Sequence, residues 1–218
     1  MPIFQTEYEK VYKAIRDAIV SGKFVPGERL PQRKLAERFG TTTITVREAL
    51  RFLENDGLIV FEPKWGAMVM EITPEKIYGR YIVREALEGM AARLASQNIS
   101  QAEKEELLEL AKKCDTDLTG DKLTRNEKAN LHFKLHEKIV NITRCEELIS
   151  SIKRINLHRI LLSNAYHIDW HKDRPSQHTN LIKAIISGDC DLAETTMRRH
   201  VRDGYEMEMR ALEEHKKR

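Results

Sequence analysis

No proline interrupts residues 75 to 174, and apolar residues recur there at three- and four-residue intervals. Proline breaks helices, so a proline-free stretch with that period reads as amphipathic helices, each burying one stripe against its neighbours. Thr73-Pro74-Glu75 is a strong helix start, with a capping hydroxyl followed by proline at the first helical position. The spacing predicts helices at about 74–97, 101–118, 121–142, 145–164, 173–187 and 190–213, with Ser100 and Glu103 forming a capping box. With only 6 Phe, 6 Tyr and 2 Trp, the core must be built from Leu, Ile, Val, Ala and Met. Residues 73–214 are therefore expected to form an all-α antiparallel helical bundle.

The first 72 residues are organised differently. Val11, Ile15, Ala18 and Ile19 mark one amphipathic helix, which stops at Ser21-Gly22. Leu35, Ala36 and Phe39 mark a short second helix ended by Gly40, and Val46, Ala49, Leu50 and Leu53 a third that Thr41 or Thr42 can cap. LIVF (58–61) and AMVM (67–70) are β-prone runs around Glu62-Pro63-Lys64-Trp65-Gly66, a hairpin signal. Three helices and a two-stranded wing thus occupy residues 5–72, and the chain as a whole is mainly α.

Two helices joined by a tight turn form the arrangement that lays a recognition helix in the major groove. The charges fit that placement. Between 31 and 51, Arg33, Lys34, Arg38, Arg47 and Arg51 face only Glu37 and Glu48, and Thr41, Thr42, Thr43 and Thr45 add hydroxyls that can hold phosphates. The whole chain, at net charge +3, contributes little, so any nucleic-acid affinity must be local. MPIFQTEYEK has no apolar core behind a basic stretch and no apolar run is long enough to span a membrane, so neither secretion nor a membrane span is expected; Cys114, Cys145 and Cys190 show no CxxC spacing. A cytoplasmic protein with reduced thiols is expected.

Eight histidines are unevenly placed. His132 and His136 stand four apart on a face with Ile139 and Val140, His178 shares a face with Leu181, Ile182 and Ile185, and His200 follows Ala193 and Met197 at helical spacing. Imidazoles from three helices therefore point inward. Any one of them could be a hydrogen-bonded core residue, but a metal is an economical way to bury several, and nitrogen ligands suit Zn first, with Ni or Fe as alternatives. A second i, i+4 pair, His167 and His171, straddles a helix break.

The string IVSGKFVPGERLPQRKLAERFGTTTITVREALRFLENDGLI closely resembles the winged helix-turn-helix of the GntR superfamily. By that resemblance Arg33 and Arg47 fall where the family contacts DNA, and Lys64, Trp65 and Gly66 form the tip of the wing. Thr42, Thr43, Thr45 and Arg51 complete the candidate DNA-binding set. Thr43 departs from the pattern, since family members usually carry arginine there, which implies an altered operator. Residues 76–212 resemble the FCD ligand-binding domain of the FadR subfamily, through IYGRYIVREALEGMAARLAS and HTNLIKAIISGDCDLAETTMRRHV. The resemblance implies a metal held by His136, His178 and His200, with His132 standing where Asp is usual and Cys145 where Asn usually follows. Arg84 matches a family arginine near the effector pocket, with an exposed helix ion pair as its alternative; Arg154 is a further candidate of that kind.

These readings converge on a homodimeric repressor that binds a palindromic double-stranded DNA operator and is controlled by a small organic acid at a metal site. Dimerisation is expected because one recognition helix covers only a short half-site. Two other classes remain. In one the metal itself is the signal. In the other the chain is a metal-dependent hydrolase with a DNA-binding module, which is disfavoured because His132-FKL-His136 lacks the Glu that follows the first His in H-E-x-x-H proteases.

Overall fold

The computed structural model describes residues 6–71, 73–118, 122–153, 155 and 177–216. They fall into two compact units that divide at Ile72 and Thr73.

In the first unit α1 (Glu7–Val20) begins where the Thr6 N–H donates to Glu9 Oε2 at 2.7 Å. It buries Val11, Ile15, Ala18 and Ile19, the stripe expected from the spacing. The chain turns through Lys23 to Pro31 into α2 (Gln32–Phe39), which ends at Gly40. That residue has φ 61°, a left-handed conformation that glycine adopts without steric cost. Only two residues, Thr41 and Thr42, then separate it from α3 (Thr43–Asn55), whose Val46, Ala49, Leu50 and Leu53 pack against α1. Strands β1 (Ile59–Glu62) and β2 (Gly66–Val69) pair antiparallel, in the register Ile59 with Val69 and Phe61 with Ala67. The outer edge of β2 is covered by residues 27–30: the Leu30 N–H donates to the Ala67 carbonyl and the Val69 N–H to the Glu28 carbonyl, both at 2.8 Å. This covering stops the exposed edge of the hairpin from pairing elsewhere.

The second unit opens with α4 (Pro74–Asn98), capped by the Thr73 hydroxyl, which accepts from the Lys76 N–H. Helix α5 (Gln101–Asp117) starts at the Ser100/Glu103 box as expected. Helix α6 (Arg125–Ile142) begins four residues later than the hydrophobic spacing suggests, because Thr124 and Glu127 form a second box that sets its first turn. A helix α7 begins at 146, and its described residues are 146–153 and 155. Helices α8 (Gln177–Ile186) and α9 (Cys190–Lys216) close the unit. The expected continuation of α7 to 164, His167 and His171 all lie outside the described residues.

α4 and α9 run against each other. Gly89 permits the close approach: a Cβ there would lie 2.9 Å from Cγ of Arg198. Further along, the Tyr81 hydroxyl donates to Glu208 at 2.5 Å and its ring packs on Tyr205. Among the described residues no helix is long and apolar enough to cross a membrane.

Candidate metal centre and nucleic-acid interface

All four expected histidines are buried in the second unit. Helix α6 contributes His132 and His136 from adjacent turns of one face, with ring centroids 4.5 Å apart. His200, from α9, lies 5.6 Å from the His132 ring and 5.1 Å from that of His136. His178, at the start of α8, lies 5.0 Å from His132 and 5.2 Å from His200. The nitrogen ligand atoms of His132, His136 and His200 fall within 4.8 Å of one another. His178 borders this trio without joining it at that distance.

Two carboxylates orient the rings. His136 Nδ1–H donates to Glu88 Oε2 at 2.5 Å, which leaves Nε2 as the inward atom, 3.2 Å from His200 Nε2. His178 Nδ1–H donates to Asp115 Oδ1 at 2.9 Å, so its Nε2 is likewise the ring atom not turned to a carboxylate. A carboxylate on the outer nitrogen of an imidazole fixes the tautomer and raises ligand basicity, as at known metal sites. Two ring nitrogens facing each other at 3.2 Å need a proton or a cation between them. That separation also suits two ligands bound at about 2.1 Å to a single ion. The donor set therefore fits a first-row transition metal.

Glu88 is in turn held by Arg84, whose Nε–H donates to Oε1 at 2.8 Å and whose guanidinium lies 4.6 Å from the Tyr81 ring. The pair is 5% and 1% exposed, so Arg84 is neither at the surface nor in an ordinary solvated helix ion pair. Burial alone would lower the Arg84 pKa, but the Glu88 carboxylate holds it above its ordinary value. Burial would also raise that of Glu88, and the charge of Arg84 with the hydrogen bond from His136 holds it well below the usual carboxylate range. Burial opposes ionisation of Asp115 too, yet hydrogen bonds from His178 and Thr179 bring its pKa down to about 2. Burial pushes the Cys114 thiol up to about 12, which keeps it protonated. Arg154 lies outside the described residues.

Sequence reasoning missed Glu88 and Asp115. Glu88 had a signal, four residues after Arg84 on the inner face of α4. Asp115 had none, because it accepts the backbone N–H groups of His178 and Thr179 and so caps α8 from a different helix.

In the first unit the expected DNA-facing residues lie on the surface. Thr42 caps α3, its hydroxyl accepting from the Thr45 N–H at 3.2 Å and lying 3.0 Å from the Thr45 hydroxyl. Arg47 Nε–H reaches Gln32 at 3.4 Å, Arg33 is 89% exposed beside Glu37 at 3.5 Å, and Thr43 and Arg51 are exposed. At the wing, Lys64 and Gly66 both have positive φ, 70° and 76°. The sharp turn leaves Trp65 60% exposed, with the Arg29 guanidinium 4.0 Å over its ring, a cation–π contact at the wing tip that the sequence did not announce.

Comparison with known proteins follows this division. Residues 7–69 match the family described as bacterial regulatory proteins, gntR family, and residues 80–203 match the FCD domain. An HTH-type transcriptional regulator of Bacillus subtilis, YdhC, is 30% identical over 154 residues, a match that covers 68% of this chain and 66% of that protein. The HTH-type transcriptional repressor RspR of Escherichia coli K12 is 23% identical, covering 89% of this chain and 86% of RspR. Among solved structures, E. coli McbR/YncC superposes with a TM-score of 0.71 at 20% identity, over 94% of this chain and 98% of that one, and so shares the fold.

The Arg84–Glu88 pair makes a testable demand on stability. Glu88→Gln leaves a buried guanidinium without its counter-charge and is expected to cost about 3–5 kcal/mol, whereas Arg84→Met with Glu88→Leu should recover most of that loss. Denaturant unfolding in the presence of a chelator measures both; equal stability of Glu88→Gln and the unchanged chain would remove the pair from its structural role.

Proposed function

We propose, from the premise that the chain belongs to the GntR family of bacterial regulatory proteins and carries an FCD domain, that it represses transcription from a palindromic operator and releases it when a small carboxylate binds at the histidine cluster. That it is a DNA-binding transcriptional regulator rather than an enzyme follows from the family and from relatives named as regulators. In this reading residues 5–72 are the DNA-binding domain, residues 73–214 bind the effector and dimerise, and the protein acts in the cytoplasm.

The observation that carries the effector site is the convergence of three buried imidazole nitrogens within 4.8 Å, with Glu88 behind His136 and Asp115 behind the neighbouring His178. His132, His136 and His200 would hold a divalent transition metal, Zn first and Ni or Fe next, with His178 as the fourth candidate. Such an ion supplies positive charge and open coordination positions, which an anionic ligand suits. Imidazoles are neutral ligands, and having His132 in place of a carboxylate leaves that charge less compensated. Arg84 commits its Nε to Glu88, yet a guanidinium carries five N–H donors and can hold Glu88 while meeting a carboxylate. Arg154 keeps its sequence-based place as a second candidate.

For the operator, Arg33, Thr42, Thr43, Thr45, Arg47, Arg51, Lys64 and Gly66 are the proposed contacts. Exposed Tyr78, Ile82, Val83 and Met90 along α4 support dimerisation, because burying them against a second copy removes apolar surface from water. α4 follows β2 closely in the chain and carries the Arg84–Glu88 pair that holds His136, so a ligand that displaces the ring acts on the helix leading out of the wing.

Three outcomes test the proposal. Arg47→Ala should weaken operator binding by about 1–3 kcal/mol if its guanidinium reads a base; normal binding by the folded variant, measured by isotherms, would exclude α3 as the reader. Protein purified without a histidine tag should carry about one metal per chain and lose it on acidification, because a protonated ring cannot coordinate. Elemental analysis showing no metal would return the histidines to a purely structural role. Finally, a carboxylate that lowers operator affinity must itself bind more weakly, by the same factor, once operator is present. Identical carboxylate affinities with and without operator would overturn the switch, and metal alone changing operator affinity would make the metal the signal.

A further inference from the structure

The outward face of α3 is chemically divided along its length. Val46, Ala49, Leu50 and Leu53 point into the core and are wholly buried. Ile44, Arg47 and Arg51 follow one another at three- and four-residue steps on the opposite side, and all three are exposed. Two of them carry guanidinium groups. The third, in the first turn, is the most exposed large apolar side chain among the described residues, at 74%.

Around Ile44 two of the hydroxyls are already engaged with each other and with the backbone. The hydroxyl of Thr42 accepts from the Thr45 N–H and faces the Thr45 hydroxyl at 3.0 Å, so both of these hydroxyls serve the helix cap. Between the cap and Arg47 no charged residue stands in the first turn, which runs Thr43, Ile44, Thr45. The end of the helix that enters a groove first therefore presents a branched hydrocarbon beside the exposed Thr43. A lone surface isoleucine needs no explanation in itself, but this one occupies the turn from which recognition helices reach base edges.

In the major groove the phosphates, the sugar oxygens and nearly every base edge are polar. The apolar group on offer there is the C5-methyl of thymine. We infer that Ile44 is a specificity-determining residue that packs on a thymine methyl, so that each half-site of the operator contains a T·A pair chosen by hydrophobic contact rather than by a hydrogen bond. The inference rests on α3 being the reading helix, and it adds a base preference that the arginines of that helix cannot supply.

The experiment begins with duplexes selected by the unaltered protein from a pool randomised over its central base pairs. Each thymine of the selected half-site is then replaced in turn by uracil, which removes the methyl and leaves the base pair intact. One position should weaken binding about fourfold, the worth of one buried methyl group. Ile44→Ala, exposed and therefore expected to fold normally, should lose a similar factor on the thymine duplex and then bind the thymine and uracil duplexes equally. If no position distinguishes thymine from uracil, or if the losses from Ile44→Ala and from uracil simply multiply, Ile44 does not read a methyl. Arg47→Ala, measured on the same duplexes, separates the two levels. Normal binding by that variant removes α3 as the reader and the Ile44 contact with it, whereas weakened binding with no thymine effect overturns the Ile44 contact alone.

Discussion

A carboxylate cut off from water ordinarily takes up a proton rather than remain charged, because nothing in an apolar interior replaces its hydration. Glu88, only 1% exposed, keeps its charge because Arg84 lies one turn before it on α4 and His136 reaches it from α6. One oxygen accepts from the guanidinium and the other from the imidazole. The second bond decides the chemistry of the site, since a ring that donates through Nδ1 turns Nε2 toward His200. Removing the carboxylate would free the ring to rotate and take from the buried arginine its hydrogen-bonded counter-charge. The arrangement of the histidine cluster therefore depends on an ion pair that contributes no ligand itself.

The same logic recurs on the other side. Asp115, near the end of α5, accepts two backbone N–H groups at the start of α8 and the Nδ1–H of His178. One side chain thus caps a helix and sets the tautomer of an imidazole. Because the cap and the ring share an acceptor, the first turn of α8 and the position of His178 are mechanically one unit. α4 and α9 are joined at their far ends by Tyr81 and Glu208, so a helix that touches the histidines through Glu88 is tied again below the site. Packed elements tend to switch between discrete arrangements rather than deform continuously.

The DNA-binding unit solves a different problem with local means. Its α2–α3 turn is short because Gly40 accepts a left-handed backbone, and its wing is sharp because Lys64 and Gly66 do. On α3 the exposed groups include Arg47 and Arg51, suited to phosphates and base edges, and a first turn of threonine and isoleucine. Family membership identifies what this unit binds; the proposed operator contacts on α3 are where its sequence preference would be set.

The elements and their inner faces were legible in the chain's local pattern. The stripes on α1 and α3, the caps at Thr73 and Ser100, the two-stranded wing and the inward placement of four histidines are all local consequences of period and capping chemistry, which act over a few residues. The later start of α6 was also legible, in Thr124 and Glu127, but the hydrophobic spacing concealed it. How close the four rings come, and that Arg84 is buried rather than solvated, emerge only when the helices pack. The reason is distance along the chain: Glu88 and His136 are 48 residues apart, and Asp115 and His178 are 63 apart. No local pattern encodes such a pairing. It exists because packing the amphipathic stripes brings those side chains together, and once buried together their charges and hydrogen bonds must be satisfied by one another.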